Sequence, residues 1–192
     1  MKAFRLWLLS LLEWMLLGFG IACLGMYGYE TVAARRFQAE QALAFEREAK
    51  KEVAPSTILP GGLVGMLDVP RLKLSTVVIE GDDTKTLKRA VGHLPDTPMP
   101  WARGNSAIAG HRDGLFRPLK DVKVGDEIRF RTTRDEFRYR VTKTTIVTPD
   151  DLSVLAPQPD DATLTLITCY PFYYVGSAPK RFVVHATRTP SN

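Results

Sequence analysis

TLTLITCYPFYYVGSAPKRFVVHA, residues 163–186, contains two short apolar runs with a loop between them, and its reading decides the fold. Leu164 to Thr168 are all apolar or β-branched, the pattern of a short buried strand, and Phe182, Val183 and Val184 repeat it. The residues between include two prolines, a glycine and a serine, which turn a chain rather than extend it. Cys169 closes the first run and Arg181 opens the second. Two strands joined by that loop would set a thiol and a guanidinium at neighbouring strand mouths. That is the placement of a site.

Similar runs extend back to Leu63. The strand candidates are Leu63–Val69, Ser75–Ile79, Ser106–Gly110, Glu127–Thr132, Phe137–Val147, Leu164–Cys169 and Arg181–Thr187. Turn formers separate them, among them Gly81-Asp82-Asp83, Gly125-Asp126 and Asp150-Asp151. One short helix is expected from Asp83 or Thr84, carrying Leu87 and Val91. Seven or eight strands with little helix specify an all-β domain, either a sandwich or a closed barrel.

The N-terminal third is different in kind. Leu6 to Tyr29 reads LWLLSLLEWMLLGFGIACLGMYGY, with Glu13 its one charge. At ~1.5 Å per residue this run spans ~36 Å as a helix, enough to cross a bilayer core. Lys2 and Arg5 precede it, which orients the N-terminus to the cytoplasm and the rest of the chain outside. A cleaved signal peptide is the alternative. Val32-Ala33-Ala34 is a poor cleavage site and the run exceeds the usual ~7–15-residue signal core, so a retained anchor is favoured. Glu13 lies about two turns from the cytoplasmic end, where snorkelling accommodates its charge. After the anchor, Arg35 to Glu52 is rich in helix formers of both charge signs, a solvated stalk weakly amphipathic through Phe37, Leu43 and Phe45. Pro55, Pro60, Gly61 and Gly62 then interrupt it. The expected organisation is a cytoplasmic N-terminus and transmembrane anchor over 1–29, a helical stalk over 30–56 and the exported domain over 57–192.

The formal net charge of +5 is spread along the chain and accompanied by no nucleic-acid motif, so no nucleic-acid partner is expected. It suits a surface facing anionic lipid or cell-wall polymer. Of the two cysteines, Cys23 falls in the membrane span and Cys169 in the exported domain, so they cannot readily pair. An exported protein that keeps a free thiol has usually kept it for reactivity. His111, in SAIAGHRDGLF, follows a short apolar strand and so holds a strand-mouth position like that of Cys169. His93 lies in the proline-rich GHLPDTPMPW and reads as polar loop surface. His185 shares a face with Arg181 but lies ~13 Å further along, which makes it a structural or surface residue.

Cys169 as nucleophile, His111 as acid and base, and Arg181 as fixed cation form a coherent set for acyl transfer. An inert buried cysteine beside an unrelated arginine fits the spacing equally well. At pH 7 free cysteine and histidine side chains, titrating independently, are roughly 3% thiolate and 24% imidazolium, so a working pair needs mutual support. Adjacent aspartates at 82–83, 150–151 and 160–161 have no calcium-loop spacing and read as turn residues, so neither metal nor cofactor is expected. Ser106 and Ser153 lack a nucleophile-elbow context, which argues against a serine hydrolase.

The motifs resemble those of the sortase family, the membrane-anchored cysteine transpeptidases. Thr165 to Cys169 fits a TLxTC pattern with a downstream arginine, Ala109 to Arg112 supplies an upstream AGHR, and the likeness covers about 130 residues in the family's order. GLVGMLDVPRLKLSTVVIEG and FRPLKDVKVGDEIRF look like its first and middle strands. The resemblance implies an eight-stranded closed β-barrel with one or two short helices, and His111, Cys169 and Arg181 as the catalytic trio. The TCYPF continuation looks closest to class D or to sortases of Gram-negative bacteria. Trp101 departs from the Pro-Gly turn of many relatives, which bears on loop shape. By the same resemblance, Cys169 cleaves an LPxTG-like sorting motif of a surface protein or pilin and forms an acyl-thioester. An amine acceptor, such as a peptidoglycan precursor or a pilin lysine, then resolves it. A thiol peptidase releasing product to water is one alternative, and a non-catalytic β-domain that binds envelope polymer is another. Leu94-Pro95-Asp96-Thr97-Pro98 imitates a sorting motif, but no apolar helix and basic tail follow, so it reads as a loop near the active-site mouth.

Overall fold

The structure is a computed structural model that describes residues 2–48, 59–158, 161–174 and 176–190. Contacts group the chain up to Phe37 into one compact unit and from Gln38 onward into another. Helix α1 spans Lys2–Glu48, running without interruption through the boundary expected near residue 30. It is long and apolar enough to cross a membrane. Leu16, Phe19, Ile21 and Leu24 are each at least 62% exposed, so its apolar side chains are turned outward on several sides. A helix apolar all round needs an apolar surrounding. The last residues of the expected stalk, 49–56, and the expected start of the exported domain at 57 lie outside the described residues.

Within the second unit the end of α1 is not the solvated stalk that its charges suggest. Gln38 Oε1 accepts from the Val77 N–H at 3.1 Å and the Thr76 hydroxyl at 3.2 Å, and Gln38 Nε2 donates to the Arg89 carbonyl. Phe45 is 3% exposed, whereas Leu43 stays exposed.

The rest is a barrel of eight strands: β1 (Leu63–Val69), β2 (Leu74–Glu80), β3 (Val91–His93), β4 (Gly104–Gly110), β5 (Glu127–Arg131), β6 (Glu136–Val147), β7 (Ala162–Tyr170) and β8 (Lys180–Arg188). They close in the order β1-β2-β3-β4-β7-β8-β6-β5. β2/β3 and β4/β7 are parallel and the other pairs antiparallel. Period-two alternation puts Ile108, Phe130, Tyr139, Leu164, Leu166, Val184 and Ala186 inside one core. Each large aliphatic or aromatic side chain buried there contributes about 1.5–3 kcal/mol.

Helix α2 is only Thr84–Leu87, capped by the Asp83 carboxylate, which accepts from the Lys85 and Thr86 N–H groups. Val91 does not belong to it, contrary to expectation, but opens β3 opposite Val78. The reason is tertiary: at the next residue a Cβ on Gly92 would fall 2.1 Å from the Gly81 carbonyl oxygen, so glycine lets the chain pass and pair with β2. His93 is also misread from sequence. It is fully buried on β3, with Nδ1 2.8 Å from Glu80 Oε2 and Nε2 3.1 Å from the Pro98 carbonyl oxygen.

Candidate active site

Cys169 and Arg181 are direct cross-strand partners at the β7/β8 mouth. Leu164, Leu166 and, by alternation, Thr168 point inward, so Cys169 points out of the barrel, as does Arg181 one position before Phe182. Both are half-buried. β4 runs parallel to β7 in unbroken register from Gly104↔Ala162 to Gly110↔Thr168. One residue further on each chain stand His111 and Cys169, at the ends of neighbouring strands that run ~4.8 Å apart. His111 is exposed. The structure therefore brings all three residues singled out in the sequence to one rim. Among the described residues no hydrogen bond joins the three side chains, and Arg181 Nη1 donates to the carbonyls of Ala178 at 3.3 Å and Lys180 at 3.1 Å.

Local chemistry fixes each of the three. The Thr168 hydroxyl donates to the Gly110 carbonyl at 2.7 Å, tying the last residue of β4 to the residue before the thiol. The His111 carbonyl accepts the N–H groups of Gly114 at 3.3 Å and Phe116 at 3.2 Å, which folds the chain into a turn. Phe116 plugs that turn into the core, and it can do so because a Cβ on Gly110 would lie 2.7 Å from its ring. On the other side Tyr170, Phe172 and Phe182 form a triangle of rings with centroids 5.3 to 6.4 Å apart, fixing where the β7–β8 loop leaves the barrel.

Other sequence candidates lie elsewhere. His185 is half-buried on β8 with Nε2 3.2 Å from the Thr145 hydroxyl, and burial, then Lys143, pushes its pKa down. The LPDTP segment is not at the active-site mouth. It precedes Gly104, whereas His111 follows Gly110 at the other end of β4. In the same loop the Trp101 carbonyl accepts from Arg188 at 3.2 Å, seven residues along β8 from Arg181 and so about 23 Å away. Trp101 shapes that loop by packing 6.5 Å from the Phe130 ring. Asp83 and Asp151 serve as caps, and among the described residues no three His, Cys, Asp or Glu side chains gather as metal ligands would. Two surface clefts of about 350 and 470 Å³ are lined by residues such as Phe45, Arg131, Lys73 and Glu136, and include none of the three rim residues.

Sequence reasoning passed over Arg112. It is 9% exposed, yet it stands between exposed His111 and exposed Asp113. Its Nη2 donates to the carbonyls of Tyr174 at 2.6 Å and Gly176 at 3.1 Å, on the loop between Cys169 and Arg181. Its place inside the AGHR motif was the available signal.

A closed barrel with a half-buried thiol paired across β7/β8 with an arginine, and a histidine one residue past the end of the adjoining strand, narrows the class of protein to compare. The comparisons specify the family. The family model described as "Sortase domain" matches residues 67–189. A Sortase D of Bacillus subtilis is 38% identical over 128 residues, 67% of this chain and 65% of that protein. A Sortase A of Bacillus anthracis is 30% identical over 137 residues, 69% of this chain and 63% of that protein. Among solved structures, a sortase D-type transpeptidase of Clostridium perfringens superposes with a TM-score of 0.68 at 30% identity, covering 81% of this chain and 98% of that one. The chain belongs to the sortase family.

Proposed function

We propose that this protein is a membrane-tethered cysteine transpeptidase, with Cys169 as nucleophile, His111 as acid and base, and Arg181 as oxyanion or substrate-backbone donor. The observation that carries the reading is the register at the rim. Cys169 faces Arg181 across β7/β8, and His111 stands one residue beyond the Gly110↔Thr168 pair. The C. perfringens relative described as a transpeptidase supports it.

The substrate is the LPxTG-like motif of a surface protein or pilin. The Cys169 thiolate attacks the carbonyl carbon of the motif's threonine, and Arg181 donates to the oxygen that gains charge. As the C–N bond breaks, the His111 imidazolium gives its proton to the leaving amine, and an acyl-thioester remains. An amine from an envelope precursor or a pilin lysine then attacks the thioester carbon. Neutral imidazole takes that amine's proton while the Cys169 thiolate leaves, so the enzyme returns unchanged. The N-terminus is cytoplasmic and the barrel extracytoplasmic, because Lys2 and Arg5 precede the apolar run.

The test is mass spectrometry of the full chain in detergent with an LPxTG-bearing peptide, with and without an added primary amine. The expected outcome is an acyl adduct on Cys169 and an amine-bearing product, both lost in Cys169→Ala. Product formed only with water would assign a hydrolase. Peptide binding unchanged in Cys169→Ala, with no adduct in the parent protein, would assign a binding domain.

A further inference from the structure

Arg112 is a cation sequestered in an otherwise exposed turn. Its Nη1 is buried with no hydrogen-bond partner among the described residues, while Nη2 serves two carbonyls on the far side of the rim. The Tyr174 ring lies 5.7 Å from its guanidinium. Burying a guanidinium with one nitrogen unsatisfied is costly, and an apolar side chain would pack there more cheaply. What an apolar chain cannot do is span from the residue after His111 to the backbone of Tyr174 and Gly176. Those carbonyls belong to the loop that leaves β7 after Tyr170 and enters β8 at Lys180, joining the strands that carry Cys169 and Arg181, and Arg181 is itself bonded to that loop. The bonds of Arg112 therefore connect the element carrying the imidazole to the loop joining the other two groups. Arg117 makes a parallel contact to the same loop, 6.0 Å from the Tyr173 ring, but from an exposed position.

We propose that Arg112 is a positioning residue for the transfer reaction: it clamps the loop between Cys169 and Arg181 to the turn bearing His111, and so sets the spacing of thiol and imidazole. The proposal rests on the transpeptidase reading above for its kinetics and on the geometry alone for its second readout.

The experiment compares Arg112→Met and Arg112→Lys with the parent chain in detergent, each normalised to its folded fraction. Two quantities are read: kcat and KM for peptide cleavage, and the alkylation rate of Cys169 by iodoacetamide, followed on its own peptide by mass spectrometry. Loss of the clamp is expected to lower kcat roughly 10- to 100-fold in Arg112→Met with KM within about threefold, Arg112→Lys falling between. The alkylation rate is expected to change severalfold in the same order. Parent values of kcat and alkylation in both folded variants, whatever their melting temperatures, would overturn the proposal, as would a rise in KM alone. If the parent chain cleaves no peptide, the transpeptidase reading fails, and alkylation decides the clamp by itself. If neither Arg112 variant folds, Tyr174→Leu removes the ring from the exposed side of the clamp. Unchanged kcat and alkylation there would also overturn it.

Discussion

Tyr139 places a phenol inside the barrel and donates it to the Pro100 carbonyl. Burial pushes its pKa from the usual 10.0 up to about 12, with Arg188 pulling the other way. The fold thus favours the neutral phenol. Its contribution to stability is complete below about pH 10 and is lost as pH rises through about 12. Tyr139→Phe gives up the hydrogen bond but has no proton to lose. The parent chain is expected to melt higher than Tyr139→Phe at pH 8, and the gap should close as pH approaches 12. A gap in melting temperature that stays constant across that range would refute the assignment. Positions that depend on immediate neighbours were readable in the sequence: Cys169 at the end of one strand and Arg181 at the start of the next. Arg112 and His93 were not, because their partners lie at Tyr174, Gly176 and Glu80, far away along the chain.

At the scale of elements, long strands were legible to within a residue or two, from β1 at Leu63–Val69 to β8 at Lys180–Arg188. A strand of five or more residues shows its alternation, and the turn formers bound it. β3 was not legible, since three residues carry no period and the segment follows a short helix. It exists because Gly92 admits the Gly81 carbonyl and His93 fills the space beside Glu80. Gly92→Ala tests this. A methyl 2.1 Å from a backbone oxygen has no flexible neighbour to displace, so β3 must move away from β2. The expected cost is about 3 kcal/mol or more, read from the urea midpoint of the barrel in detergent. A variant within about 0.5 kcal/mol of the parent would show that the close approach is not required.

For the whole molecule, the sequence supplies an apolar helix and a strand-rich domain, with the thiols Cys23 and Cys169 in different parts. The proposed topology puts Cys169 outside the cell and Cys23 within the bilayer. A membrane-impermeant maleimide added to intact cells should therefore label the full chain, and Cys169→Ala should stay unlabelled. Labelling that requires permeabilised cells would reverse the orientation. The end of α1 shows how an element reads differently in its molecule. Its charges suggest solvent, yet Gln38 satisfies the Val77 N–H and Phe45 is buried.

By itself the sequence determined the apolar helix, the strand-rich domain and the residue types of the rim, because composition and period are local properties of a chain. Only the tertiary structure decided that β4 runs beside β7 although β5 and β6 lie between them in sequence. That non-local pairing makes His111 a neighbour of Cys169 and sends LPDTP to the opposite end. No local pattern encodes it, since the pairing is selected by which strands together close one core.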